Sequence, residues 1–186
     1  LTASSGEVAL RAPWCGIRND QVATARRIWT IDATARSYGR VQTLQRAMST
    51  QAESIESVIM PAYTQLQRAQ PVSGAHWMLS HFWPLERDRA RFVAAGRAAN
   101  VLPLGSGAIA GSAFAVDRSS IQAELGFAAL SANSIAAVGD RDFVSDTLFA
   151  LTMLGATLSR LADDLILIGS SDFGFVSYRD ACSACS

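Results

Sequence analysis

The sequence predicts an all-α fold, a long-helix bundle, and three observations carry that expectation. Val144, Leu148, Leu151, Leu154, Leu158, Leu161, Leu165 and Ile168 recur at steps of three and four residues, one apolar stripe over roughly seven turns. A shorter series, Val41, Leu44, Met48, Ala52 and Ile55, repeats the pattern nearer the front. No strand-like alternation competes with either series.

Taken in order, Asn19 or Asp20 is placed to cap a helix that runs from about Gln21 into the fifties. Its first half, with Asp32 and Arg36 inside, has the weaker period. Ala62–Pro71 reads as a non-helical turn. Pro71 opens a second helix, since a missing amide hydrogen costs nothing in a first turn. That helix continues to about Ala99, with a kink expected at Pro84. Val101–Val116, with Pro103 and three glycines, is a loop, and Asp117 caps a short helix from Arg118 to about Leu125. The last helix is expected over Ser131–Ile168. Helices this long need long partners alongside them. Three of them expose more apolar stripe than one chain covers, so association between copies is expected. Residues 1–186 read as one domain or a fragment of a longer protein, 1–17 being an irregular lead-in, and both ends read as cut.

Composition removes several functions. Sixteen acidic and sixteen basic residues cancel and are interspersed, which argues against a nucleic-acid partner. Every basic residue is Arg, so no lysine base or Schiff base is available. Leu1–Ala12 lacks the pattern of a secretory signal, and the apolar run Val101–Val116 is too broken to span a membrane. Cys15, Cys182 and Cys185 do not form a disulfide framework, and Cys182 and Cys185 have no second ligand pair for zinc. A reducing cytoplasm or organelle interior is expected, with no metal. His76 and His81, five residues apart, share no helix face well and read as packing partners of Trp77 and Trp83.

Three segments have the chemistry of a binding site. Arg18 and Asn19 put a guanidinium and an amide at a helix start, where free amides and the helix dipole favour an anion. Ala62–Pro71 offers the Thr64 hydroxyl and several amides. Asn100–Gly111 is a small-residue loop that backbone–ligand contact suits. Singly, each also reads as a surface ion pair, a solvated loop or ordinary turn glycines.

In this order the segments resemble argininosuccinate lyase of the fumarase/aspartase superfamily. The resemblance runs from about Arg18 to Ser186 and includes RNDQV, YT and LQRAQP on either side of Gln65, HWMLSH, RDRARF, NVLPLGSGAIAG, DRDFV, LSRLADDLIL and FGFV. It implies the superfamily's all-α central domain, a homotetramer, and active sites built from segments of three subunits. The implied reaction, in arginine biosynthesis and the urea cycle, splits argininosuccinate to arginine and fumarate by reversible β-elimination, with no cofactor. A base takes a proton from the carbon beside a carboxylate, and an acid helps the guanidinium nitrogen leave. By resemblance Asn19 and Thr64 bind substrate, and Arg18 faces a carboxylate. Gln65 stands at the catalytic histidine's position. Ser186 matches the first serine of the mobile GSSxMPxKxN loop, the serine that exchanges the proton.

The sequence departs from the family pattern at several of these places. Ile17 replaces a serine that meets substrate, Ala62 a glycine, and Ala136 and Gly139 more polar residues. Ala184 and Cys185 stand where Thr-Gly is usual, and the MPxKxN part of the loop, with its lysine and asparagine, is not among these 186 residues. The decisive change is Gln65, because an amide accepts and donates hydrogen bonds without titrating near neutral pH. Losing a positioned acid or base typically costs on the order of 10²–10⁴ in rate. The alternative reading is therefore a catalytically silent, crystallin-like family member that folds and associates.

Overall fold

The structure, a computed structural model, describes residues 18–113 and 115–178. Its elements are α1 (Arg18–Ser54), β1 (Ile59–Thr64), β2 (Gln67–Ser73), α2 (Gly74–Ala99), β3 (Val101–Leu102), α3 (Arg118–Leu125), β4 (Ala129–Leu130), α4 (Ser134–Gly139) and α5 (Asp142–Ile168). The all-α class holds, and three long helices dominate. α1, with 37 residues, is about 55 Å long at the usual helical rise. The described residues form two compact units, 18–38 with 91–149 and 39–90 with 150–178.

In the first unit α1 buries Ala23, Arg27, Thr30 and Thr34, and α2 buries Phe92, Ala95 and Ala99. The inward face of α1 is thus largely polar. Its hydroxyls are satisfied within the helix: Thr24, Thr30 and Thr34 donate to the carbonyls of Asp20, Arg26 and Thr30 at 2.7–2.8 Å. Close packing sets the opposite helix too, since a Cβ on Gly96 would lie 3.0 Å from the Thr34 hydroxyl. Arg27 is the hub of this unit. It donates to the Ala98 and Ala99 carbonyls at the end of α2, pairs with Asp140, and lies 4.4 Å over the Phe143 ring.

In the second unit Val41, Met48 and Ala52 of α1 are buried, with Leu85 and Asp88 of α2 and Ala150, Thr157 and Ile168 of α5. Gln45 binds the Phe82 carbonyl and the Glu86 carboxylate, and Arg89 donates to both Gln45 and Glu86.

The structure corrects several expected boundaries. α1 begins at Arg18, so Asn19 and Asp20 lie in its first turn and do not cap it. α2 begins at Gly74, three residues after Pro71, with the Ser73 hydroxyl accepting from the His76 amide; it runs unbroken through Pro84. Pro71 belongs instead to an antiparallel hairpin, where it faces Pro61, so the segment expected to be a turn is mostly strand. The expected helix Ser131–Ile168 is two helices. The chain turns extended at Asp140 (φ −61°, ψ 130°), whose carboxylate accepts the Asp142 amide and starts α5 afresh. The short helix α3 is as expected, with Asp117 accepting from Ser119 and Ser120 and Gly126 (φ 72°) closing it. On α5 the chain buries Phe143, Thr147, Ala150 and Thr157, while Leu148, Leu151 and Leu158 of the leucine stripe stay exposed. None of the described helices is long and apolar enough to cross a membrane.

Candidate functional site

Arg18 and Asn19 lie in the first unit, exposed, in the opening turn of α1, where the backbone amides have no intrahelical acceptor. Asp20 beside them is only 3 % exposed. Its Oδ2 accepts from the amides of Gly105 (3.0 Å) and Gly107 (2.9 Å). Both glycines have positive φ, 90° and 66°, which turns the two N–H groups toward one oxygen. The same loop is held by its carbonyls. Arg118 donates to the Leu104 and Leu102 carbonyls at 3.1 Å and to the Ser131 hydroxyl at 2.7 Å. A Cβ on Gly105 would come within 2.8 Å of that Arg118 side chain, which leaves room only for glycine. The loop expected to suit backbone–ligand contact thus spends two of its amides on the protein's own carboxylate.

Thr64 and Gln65 lie in the second unit, at the tip of the β1–β2 hairpin. Thr64 pairs with Gln67, and Gln65 and Leu66 make the two-residue turn with φ of 52° and 60°. Two positive φ values are the pattern that suits the strand twist of a tight hairpin, normally supplied by Asn-Gly. Histidine is among the residues that enter this region most readily, so the turn geometry itself would accept an imidazole at position 65. Thr64 and Gln65 are exposed. Behind them Tyr63 packs edge-on against Phe173 (centroids 4.8 Å) and tilted against Phe175 (6.3 Å). Gly174, at φ 63°, separates those two rings in sequence and bends the chain so that both meet Tyr63.

His81 of the second unit is buried, edge-on to Trp77 at 5.3 Å, with Nε2 3.1 Å from an Asp164 oxygen but outside hydrogen-bond geometry. Burial pushes its pKa below the ordinary value; Asp164 opposes that shift and Arg160 reinforces it. The expected packing with Trp77 is present, whereas Trp83 contacts Phe82 and is largely exposed, as is His76. Ser186, Cys15, Cys182 and Cys185 lie outside the described residues. Among the described residues no cluster of His, Cys, Asp or Glu is arranged to hold a metal ion.

Sequence reasoning missed Asp20, Arg118 and the Tyr63–Phe173–Phe175 cluster as supports. The Phe-Gly-Phe spacing was the legible clue to the last, because glycine between two aromatic residues invites a left-handed bend.

Comparison with known proteins supplies the remaining findings. A family model described as Lyase matches residues 14–185. An argininosuccinate lyase of Roseiflexus castenholzii is 55% identical over 166 residues, 89% of this chain and 36% of that protein. One from Chloroflexus aurantiacus is 46% identical over 179 residues, 96% of this chain and 39% of that protein. The crystal structure of EDDS lyase in complex with formate superposes with a TM-score of 0.87 at 28% identity, covering 92% of this chain and 35% of the other. The chain spans a little over a third of the length of the curated relatives it matches.

Proposed function

Because the chain belongs to the lyase family of the fumarase/aspartase superfamily, we propose that it is the central portion of an argininosuccinate lyase. One observation carries this reading: 55% identity to an argininosuccinate lyase over 89% of the chain. Arg18 holds a substrate carboxylate by a charge-assisted, forked contact, Asn19 hydrogen-bonds the same molecule, and Thr64 reaches it from a sister copy. The proton on the carbon beside a carboxylate leaves to a base, and the electron pair forms the new double bond. The carbon–nitrogen bond breaks, and the nitrogen takes a proton as arginine departs from fumarate.

Ser186 exchanges the first proton. Gln65, at the imidazole's position, orients a substrate oxygen and transfers no proton. This assignment sets the expected rate on the order of 10²–10⁴ below that of a histidine-bearing site. Sister copies complete the site: the exposed Leu148, Leu151 and Leu158 on α5 are the surface through which they pack, as a homotetramer. The working compartment is the cytoplasm, and the substrate is the small molecule argininosuccinate.

The test is fumarate release, followed by its ultraviolet absorbance, in the full chain and in its Gln65→His variant. Slow release that rises with Gln65→His supports the reading. A well-formed oligomer that releases nothing in either form refutes it, and leaves the silent, frame-only member.

A further inference from the structure

We propose that Asp20 is a positioning residue for the anion grip of Arg18 and Asn19, anchoring the first turn of α1 to the amides of Gly105 and Gly107. The inference rests on the lyase reading of that grip.

A helix start is ordinarily the least fixed part of a helix, because its first amides have no partner within it and its ends fray. Arg18 and Asn19 sit there with no protein partner among the described residues, so their aim depends on whatever holds the backbone next to them. Asp20 is that hold. Successive residues on a helix are turned by about 100°, so a side chain pinned inward at position 20 directs positions 19 and 18 outward. The burial pattern agrees, with Arg18 and Asn19 exposed and Asp20 buried.

The bonds are of the strong kind. A carboxylate receives two N–H groups at 2.9 and 3.0 Å, and its negative charge lies in the opening turn of a helix, where the dipole favours it. The anchor point is itself stiff. Arg118 grips the carbonyls of Leu102 and Leu104 on the same loop, and Gly105 is closed in by the Arg118 side chain. Position 20 therefore ties the grip to a braced loop 85 residues away in sequence. The second carboxylate oxygen has no hydrogen-bond partner, so Oδ2 makes the whole attachment.

Asp20 touches no substrate in this scheme and acts through its neighbours. The experiment compares the full chain with Asp20→Asn, Asp20→Ala and, as a control that weakens packing elsewhere, Met48→Ala. Two quantities are read well below the unfolding temperature: fumarate affinity by titration calorimetry, and amide hydrogen exchange at Gly105 and Gly107. Asp20→Ala is expected to speed exchange at both glycines and weaken fumarate binding by about tenfold or more, the scale of a displaced positioning group. Asp20→Asn retains an acceptor oxygen and is expected to fall between; it carries the test if Asp20→Ala does not fold. Met48→Ala is expected to lower stability and leave affinity unchanged. Faster exchange with unchanged affinity would make Asp20 a structural brace only and overturn the proposal, as would unchanged exchange. If the parent chain binds no fumarate, the lyase reading fails first and this inference falls with it.

Discussion

Arg27 joins three segments of the first unit, and removing its guanidinium gives a prediction whose size follows from its contacts. Arg27→Met keeps an unbranched apolar stem on the Phe143 ring while deleting two hydrogen bonds to the Ala98 and Ala99 carbonyls, the pair with Asp140, and the cation–π contact. Each carbonyl bond from a charged donor is worth roughly 1.5–3 kcal/mol net, and the ring contact about 1 kcal/mol. Relief from burying a charge at a site only 4 % exposed offsets part of that sum. Breaking a buried pair by removing one partner typically costs about 3–5 kcal/mol. Asp140 keeps 30% of its side chain in water, so the lower end applies, about 3 kcal/mol.

For a domain of this size that cost corresponds to a fall in melting temperature of about 6–12 °C. The assay is urea unfolding followed by far-ultraviolet circular dichroism at fixed chain concentration. Asp140→Asn leaves the carbonyl bonds and ring contact in place and should cost about 1–2 kcal/mol. Combining the two should cost little more than Arg27→Met alone, a coupling of about 1–2 kcal/mol. A loss under about 1 kcal/mol for Arg27→Met, or strict additivity of the two changes, would refute the hub.

Three further outcomes are expected. Leu66→Gly should stabilise the chain by about 1 kcal/mol in the same unfolding assay, since it relieves a left-handed residue whose side chain is mostly in water. Gly174→Ala should destabilise by about 1 kcal/mol for the same conformational reason, and should alter the near-ultraviolet dichroism of Tyr63 by shifting the flanking rings. His81 gives a pH dependence. Its folded pKa lies below the unfolded value of 6.5, so the unfolded chain binds the proton first. Stability from this site is therefore full above about pH 6.5 and is lost as pH falls through the lower folded pKa, with Asp164 and Arg160 the charged groups facing the ring. His81→Phe should flatten that limb of a stability–pH profile, and an unchanged profile would contradict it.

The fold class was legible because hydrophobic period survives in sequence, and α3 because its Asp117 cap is a local device. The first half of α1 was faint for a physical reason. Its inward residues are Thr24, Arg27, Thr30 and Thr34, whose hydroxyls are satisfied inside the helix and whose guanidinium finds acceptors far away. Apolar periodicity does not register such a seam. The break at Asp140 was hidden likewise, because the extended residue there is held by Arg27, 113 positions earlier. The hairpin was masked by Pro61 and Pro71, which argue against strands, and by a Gln65–Leu66 turn without glycine or asparagine. The period of the leucine stripe was plain, whereas its direction was not: in the single chain much of it faces solvent. Of the candidate site, Arg18, Asn19, Thr64 and Gln65 rest on the resemblance alone, while the Asp20–Gly105–Gly107 anchor depends on contacts no local pattern encodes.

The two prolines that face each other across the hairpin have an effect beyond shape. A two-stranded ribbon has both flanks open, and a free flank is a template on which stray chains add and fibres grow. Pro61 and Pro71 each lack the hydrogen that a newcomer strand would need, and they interrupt the two flanks at the same level. The exposed tip of the hairpin therefore stands in water without offering an uninterrupted ladder for amyloid-like growth.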